Sequence, residues 1–316
     1  MEDKHVAVGQ LERHQVLVIL ASIMQHWKRR VLIAALPVSA LAQSPSPRIS
    51  AIRCGASGAA STVPALTWHG DVVQWAEWPV RLGAQGIRSR IIVARMPAAR
   101  LQFALDIARR DDVVIPWSLN EAPSDAIVAV NAGQFTDAGP WGWVVHKQKE
   151  LQPPGVGPLA GAFVVDSAGG IAILTPQEIA SWRSPLRAIE AVQSYPMLLV
   201  GASQALRALC STTSGIDLTH RDARLAIGVS RDRNGETQVL LALSRFEAPG
   251  GVATRVPIGP TTPEMAEIMR RLGADRALML DGGLSAQMLV RTLSATTRWP
   301  GLRDVPLALV ARLRRD

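Results

Sequence analysis

A short apolar run that leads directly into a polar, glycine-rich turn is the feature that most constrains this chain. Four apolar residues, 277–280, are followed by Asp281-Gly282-Gly283-Leu284-Ser285. An apolar run closed by glycine predicts a buried strand that ends in a tight turn. Two adjacent glycines leave backbone N–H groups open to an anionic ligand at that strand end. The structural alternative is an ordinary turn in which Asp281 caps the following segment.

Similar short runs recur along the chain and set the expected fold class. Apolar or alternating runs bounded by turn residues predict strands at 91–94, 101–105, 126–130, 143–146, 162–166, 171–174, 195–200, 225–229, 238–243, 277–280 and 305–310. The polar turns at 167–170 and 231–235 each join two of these runs, which predicts two hairpins. Many short strands with few helices indicate an α+β fold, with a mixed, largely antiparallel β-sheet core and a single catalytic domain.

Helices are expected in only three places. Thr261 and Glu264 have the spacing of a capping box, apolar residues then repeat at helical intervals, and Gly273 ends the pattern. Shorter helices are predicted within 117–126 and 177–182.

The amino terminus has the pattern of an export signal. A basic segment at 26–30 precedes a short apolar stretch, and Ala40-Leu41-Ala42 fits a small-x-small cleavage site. We therefore expect a signal peptide at 1–42 with Met24 as the true start, a mature amino-terminal segment at 43–86, and the main domain at 87–316. The apolar stretch is too short to span a bilayer, so the expected location is periplasmic or secreted, without stable membrane insertion.

Charge and cysteine content limit the expected partners. The formal charge is +8, carried by scattered arginines, which indicates a solvated surface or phosphate-bearing ligands. Nucleic acid is not expected, because zinc-finger spacing, a basic helix and an aromatic RNA-binding motif are missing from the sequence. Cys54 and Cys210 are the only two cysteines. An exported compartment permits a disulfide between them, but the sequence does not place the two sulfurs together.

Three predicted strand ends carry polar groups that suit an anionic, hydroxyl-rich ligand. Asn131 and Gly133 follow one strand, Arg224 precedes another, and Asp281 and Ser285 follow a third. An arginine grips phosphate through two parallel hydrogen bonds, and a carboxylate acts as acid, base, nucleophile or metal ligand. Taken singly, each has a structural alternative as a turn residue, an ion-pair partner or a helix cap.

The ordered set of motifs is more specific than any one of them. The chain contains Val130-Asn131-Ala132-Gly133-Gln134-Phe135, Tyr195-Pro196-Met197-Leu198-Leu199-Val200, Arg224-Leu225-Ala226-Ile227-Gly228, and Leu272-Gly273-Ala274-Asp275-Arg276-Ala277-Leu278-Met279-Leu280-Asp281-Gly282-Gly283 followed by Ser285. In this order and spacing, the motifs resemble the phosphodiester glycosidase family across residues 87–310.

The resemblance implies hydrolysis of a sugar-1-phosphodiester at the glycosidic bond, which releases free sugar and a phosphomonoester. The conserved asparagine, arginine and aspartate of the family correspond to Asn131, Arg224 and Asp281. We expect Asp281 to be the catalytic carboxylate and Asn131 to orient the sugar or the attacking water. Phosphate is expected to bind Arg224 and the amides of Gly282 and Gly283.

Two positions depart from the family pattern, and several further candidates remain open. Ala132 and Leu284 stand where glycine is common, and a leucine adds bulk and removes access to positive φ. The further candidates are Asp137 as a second carboxylate or a turn residue, His146 as a proton carrier or a structural histidine, and Trp141 and Trp143 as a sugar platform or core residues.

Two rival functions are compatible with the sequence. A non-catalytic exported carbohydrate-binding or exopolysaccharide and envelope-assembly protein could share the fold. A metal-dependent phosphodiesterase would cut the P–O bond, but the six histidines are scattered and give no ligand cluster. We expect no certain cofactor, although Asp281 with backbone carbonyls remains a possible ligand set for a divalent cation.

Overall fold

The computed structural model describes residues 46–51, 65–110, 113–157, 160–201, 204–205, 217–249 and 252–314. All of them fall within one compact unit, Ser46–Asp316. The expected signal peptide and the residues Cys54 and Cys210 lie outside the described residues.

Strands dominate the described part of the chain. In chain order they are β1 (Arg48–Ile49), β2 (Gln74–Leu82), β3 (Ile87–Pro97), β4 (Leu101–Asp106), β5 (Arg109–Arg110), β6 (Val113–Val114), β7 (Val128–Asn131), β8 (Phe135–Thr136), β9 (Gly139–Pro140), β10 (Val144–His146), β11 (Lys149–Gln152), β12 (Gly161–Asp166), β13 (Ile171–Leu174), β14 (Ala188–Ser194), β15 (Met197–Val200), β16 (Gln204–Ala205), β17 (Leu225–Arg231), β18 (Thr237–Ala248), β19 (Val252–Thr254), β20 (Arg276–Met279), β21 (Met288–Arg291), β22 (Thr296–Trp299) and β23 (Ala308–Leu313). The helical elements described are α1 (Pro176–Arg183), α2 (Thr262–Arg271), and the 3-10 turns Ala98–Arg100 and Gly283–Ser285.

Three sheets form the framework. A nine-stranded sheet runs β1-β2-β3-β18-β17-β20-β15-β16, with β19 added beside β18. Two five-stranded sheets run β11-β10-β14-β12-β13 and β22-β21-β7-β23-β4. All pairs are antiparallel except the short β1–β2 contact. The prediction of a largely antiparallel core with few helices is thus confirmed, although α+β is only an approximate label for so strand-rich a chain.

One hydrophobic core joins the three sheets. Its buried side chains come from β3, β17 and β20 of the large sheet, from β12 and β14 of the β11-β10-β14-β12-β13 sheet, and from β7 and β23 of the β22-β21-β7-β23-β4 sheet. The outer face of the large sheet packs on α2. Thr261 and Glu264 form the expected capping box at the start of α2. The predicted helix and its cap are therefore confirmed.

Two sequence predictions about local structure need correction. The helix expected within 117–126 is wrong: these residues form turns, and Trp117 makes an isolated bridge to Val305.

The strand β2 was not predicted, because Pro79 interrupts the run. Ala76, Trp78, Val80 and Leu82 nevertheless alternate inward, while β1 pairs only with Arg81 and Leu82. No residue of β1 lies opposite Pro79, so its missing N–H removes no hydrogen bond between β1 and β2.

The residues before position 87 contribute to the same sheet as the predicted domain. Arg48 and Ile49 form β1, and all nine residues of β2 pair with β3. The expected boundary at 87 therefore falls between two hydrogen-bonded strands of one sheet.

Candidate functional site

The candidate site lies where the three sheets meet. The Asn131 side-chain amide, at the end of β7, donates to the Asp281 carbonyl beyond β20 at 2.8 Å. Gln134 donates to the Tyr195 carbonyl beyond β14 at 2.6 Å, and the Ser194 hydroxyl contacts both Gln134 and the Met279 carbonyl. These contacts bring the ends of β7, β14 and β20 together.

The backbone of Asp281 is held on two sides. Its N–H donates to the Ala132 carbonyl at 3.0 Å, and the preceding Leu280 N–H donates to Leu225 at the start of β17. The chain segments that carry Asn131, Arg224 and Asp281 are thus neighbours in the fold, and the roles of these residues in a site stay a prediction.

Asn131 acts as a tie between backbone segments. Its side chain is fully buried; its amide nitrogen serves Asp281, and its amide oxygen accepts from the Gln287 N–H at 2.9 Å. Both ends of the Asn131 side chain are bound to backbone, so Asn131 positions the Asp281 loop. The sequence had suggested a different role, a direct contact with the sugar or the attacking water.

Asn131→Ala should therefore destabilise the protein. Two buried backbone groups lose their partners, and the expected loss is roughly 2–4 kcal/mol in the free energy of unfolding. Urea unfolding measures it. Asn234→Ala, in the exposed turn of the β17–β18 hairpin, is the matched control, with an expected change below about 0.5 kcal/mol. Equal stability of the two variants would contradict the role of Asn131.

The Asp281 carboxyl lies in a partly desolvated environment. Burial raises its pKa above the ordinary 3.8, and the nearby Asp222 charge acts in the same direction. Hydrogen bonds from the Ser285 hydroxyl and the Gly282 N–H, together with the charge of Arg303, lower the pKa and only partly offset the burial. Ser285, a predicted site residue, thus contacts the carboxyl of Asp281.

The two glycines allow the loop to pack closely, and they do not offer the amides that we expected for phosphate. The Gly283 N–H donates to the Ala223 carbonyl at 2.7 Å, and the Gly282 N–H serves the Asp281 carboxyl. A Cβ on Gly282 would lie 2.7 Å from that Ala223 carbonyl oxygen, and Gly283 adopts φ +58°. The prediction that these two amides bind phosphate is corrected: the Gly283 amide is bonded to Ala223 and the Gly282 amide to the Asp281 carboxyl.

A second carboxylate, missed in the sequence, lies beside this loop. A Cβ on Gly283 would come within 2.9 Å of the Asp222 Oδ2 atom. Burial raises the pKa of Asp222, while the charges of Arg224 and His220 and a hydrogen bond from the Ala223 N–H lower it. Its position two residues before Arg224 was the available signal, but a charged segment ahead of a strand has the pattern of solvated surface.

Arg224 lies beside Asp222 and is partly engaged by backbone. Its Nε donates to the Pro260 carbonyl at 3.3 Å and its Nη2 to the His220 carbonyl at 2.8 Å. Burial lowers the pKa of its guanidinium, and the charges of Asp222 and Asp217 raise it. Within the described residues its Nη1 has no hydrogen-bond partner, so one edge of the guanidinium remains for a ligand.

The leucine that departs from the family pattern is accommodated without strain. Gly283 takes the positive φ of this turn, whereas the positive-φ residues other than glycine in the described part are Lys147 and Gln148. The Leu284 side chain is 41% exposed. The other departure, Ala132, is fully buried, and its N–H donates to the Leu307 carbonyl. Neither the Ala132 nor the Leu284 side chain interrupts the backbone hydrogen bonds of Asp281.

The two tryptophans considered as a sugar platform lie in different environments. Trp143 is fully buried, and its indole N–H donates to Glu150 at 2.9 Å, so it is a core residue. Trp141 is partly exposed and packs edge-on against Tyr195, with ring centroids 5.0 Å apart. Gly133 allows the chain before Trp141 to pass close to β14, because a Cβ at position 133 would lie only 2.4 Å from the Gln193 carbonyl oxygen.

Two further candidates are not part of this cluster. Asp137 is exposed in the two-residue turn between β8 and β9, as its alternative interpretation suggested. His146 pairs with the buried Glu190 at 3.0 Å, on β10 and β14. The pair lies just beyond the last β10–β14 register pair, Val145 opposite Ala191, and Glu190 is four residues before Ser194.

The described residues contain no group of three or more His, Cys, Asp or Glu side chains arranged to hold a metal ion. Nor does that part of the chain include a helix of the length and apolarity needed to cross a bilayer.

Comparisons with known proteins show which fold and which family the chain has. Among solved structures, the chain is similar to the catalytic domain of zebrafish N-acetylglucosamine-1-phosphodiester alpha-N-acetylglucosaminidase, auto-inhibited by its pro-peptide (TM-score 0.57, 13% identity, 81% of this chain and 87% of that chain). It is also similar to a hypothetical protein from Synechocystis (TM-score 0.53, 15% identity, 79% and 64% coverage). At such identities these similarities show the fold alone. A search of curated proteins found no match.

A family model provides the assignment. The model described as phosphodiester glycosidase matches residues 124–312, more than half of the chain, and this range includes Asn131, Asp222, Arg224 and Asp281. The protein therefore belongs to the phosphodiester glycosidase family.

Proposed function

We propose that this protein hydrolyses the glycosidic bond of a sugar-1-phosphodiester and releases free sugar and a phosphomonoester. The observation that carries the proposal is the carboxyl pair Asp281 and Asp222, both with raised pKa, beside the partly buried Arg224. Titratable groups perturbed by burial and by each other are typical of catalytic sites. The zebrafish relative is named for its action on an N-acetylglucosamine-1-phosphodiester, which suggests the first substrate to test.

The two carboxyls differ in their contacts, which suggests different tasks. Asp281 has two hydrogen-bond donors and the charge of Arg303 to stabilise its anion, so we assign it the ionised role. It stabilises the positive charge that develops at the sugar C1 atom as the bond to the phosphate oxygen breaks. Close carboxylates do not ionise independently, and their proton affinities separate.

Asp222 completes the reaction as the proton acceptor. A water molecule forms the new bond to C1, and its proton passes to Asp222. The bonding pair of the broken C1–O bond leaves with the phosphomonoester, whose negative charge Arg224 stabilises. Because a phosphate oxygen is weakly basic, its departure needs little protonation. Asn131 and Ser285 hold the Asp281 loop, and Trp141 offers a partly exposed ring for a sugar face.

One incubation tests the reaction. The purified protein is mixed with the methyl phosphodiester of N-acetylglucosamine-1-phosphate, with and without EDTA, and the products are identified by mass spectrometry. We expect free N-acetylglucosamine and methyl phosphate in both samples. Intact N-acetylglucosamine-1-phosphate would instead show P–O cleavage, and turnover lost with EDTA would show metal dependence. Binding without any turnover would favour the non-catalytic carbohydrate-binding alternative.

We also propose that the protein is exported. The support is the basic segment at 26–30, the apolar stretch after it and the small residues at 40–42. Amino-terminal sequencing of protein from the periplasm or medium should begin at Gln43. Recovery of chains that still carry residues 26–42 would contradict cleavage.

A further inference from the structure

An exposed arginine is fixed to the outside of the Asp281 loop. The N–H groups of Leu302 and Arg303 both donate to the Leu284 carbonyl, at 2.7 and 3.1 Å. Leu284 is three residues beyond Asp281 in a short 3-10 turn. The position of the Arg303 backbone therefore follows that of the loop that carries the proposed catalytic carboxylate.

The side chain of Arg303 is oriented by an aromatic ring. Its guanidinium lies over the Phe135 ring, 5.2 Å from the centroid. Phe135 is the first residue of β8 and lies four positions after Asn131, so the ring belongs to the same strand end. Stacking on an aromatic face holds a guanidinium in place and leaves its N–H edges available.

Arg303 differs from its neighbours in how its charge is used. Arg221 forms a two-point ion pair with Glu264, and Arg224 gives its Nε and one Nη to backbone carbonyls. Among the residues described by the structure, no carboxylate forms an ion pair with Arg303. Its charge nevertheless acts on the Asp281 carboxyl. Arg303 is thus an exposed, oriented cation close enough to act on the Asp281 carboxyl, without an ion-pair partner among the described residues.

We propose that Arg303 binds the phosphate of the substrate from the solvent side and so selects phosphodiesters over neutral glycosides. The proposal rests on the function proposed above. A phosphate brought next to Asp281 and Asp222 would be repelled, and Arg224 already compensates Asp222. A second guanidinium supplies the remaining positive charge, in a fork geometry that matches two phosphate oxygens.

The test compares Arg303→Gln with wild type on two substrates and one product. The substrates are the methyl phosphodiester of N-acetylglucosamine-1-phosphate and the neutral 4-nitrophenyl N-acetylglucosaminide, and the product is methyl phosphate, titrated by calorimetry. For the variant we expect KM for the phosphodiester and Kd for methyl phosphate to rise about tenfold, because one charge-assisted contact to the phosphate is lost. Its KM for the neutral glycoside should stay within about twofold, and the change in kcat caused by the lost charge beside Asp281 should be the same for both substrates.

Arg298→Gln is the matched control, since it removes the same charge from the neighbouring exposed strand β22, where Arg298 contacts Asn120. It should leave every constant unchanged. Equal effects of the two substitutions, or no effect of Arg303→Gln on methyl phosphate binding, would overturn the proposal. If wild type fails to release sugar, the proposed reaction is wrong, whereas the methyl phosphate titrations still decide the role of Arg303.

Discussion

Asp281→Asn should reduce sugar release from a phosphodiester by about a thousandfold or more, the range typical of losing a central catalytic carboxylate. The amide keeps the size of the side chain and still accepts hydrogen bonds from Ser285 and Gly282, but it carries no negative charge. The transition state at C1 then loses its nearest stabilising charge. The measurement is kcat under saturating substrate, with methyl phosphate binding as a check on the site.

The same substitution should not lower stability at neutral pH. Burial raises the pKa of Asp281 in the folded protein, so the folded state binds its proton more tightly than the unfolded chain does. The stability of wild type therefore falls as pH rises from the ordinary value of 3.8 through the raised pKa. Asparagine does not titrate, so the melting temperature of the variant should equal or exceed that of wild type at pH 7, and the difference should shrink towards pH 3.

Asp275→Asn provides the control for this experiment. Asp275 lies just before the opposite end of the same strand, where its carboxylate accepts from the Arg231 N–H. Its substitution should leave kcat unchanged. An Asp281→Asn protein that keeps wild-type turnover on the phosphodiester would remove the proposed catalytic role.

Asp222→Asn is expected to give the second largest effect, a loss of about a hundredfold to a thousandfold in kcat. Without a proton acceptor, the water that attacks C1 is no longer deprotonated. Because burial raises the pKa of Asp222, wild-type activity should rise with pH as this carboxyl ionises. In the variant the rising limb should report the ionisation of Asp281 alone and lie at lower pH, because the Asp222 charge no longer raises the Asp281 pKa. A merely structural defect would leave the position of the limb unchanged.

Asp137→Asn is the informative comparison for Asp222. The sequence made Asp137 the candidate second carboxylate, and the structure places it in an exposed hairpin turn. Its substitution should leave both kcat and the pH profile intact. If Asp137→Asn shifted the limb and Asp222→Asn did not, Asp137 would replace Asp222 as the second carboxylate.

Local sequence patterns were sufficient to predict the strand-rich character of the fold, and they pointed to a candidate site at Asp281. Apolar runs bounded by turn residues predicted β17, β18 and β20, and local capping chemistry predicted α2. These features depend on residues close together in the chain, so periodicity and turn residues are enough to detect them. The motif order also predicted membership in the phosphodiester glycosidase family, which the family match confirms.

Which polar groups remain available for chemistry depends on contacts between distant parts of the chain. The amide of Gly283 and the side chain of Asn131 looked free in the sequence, but long-range contacts with Ala223, Asp281 and Gln287 use them. Conversely, Asp222 and Arg303 lie 59 and 22 positions from Asp281 along the chain, yet both act on its carboxyl. Burial and charge at a site depend on distances between atoms in the folded chain, and sequence patterns carry no direct record of those distances.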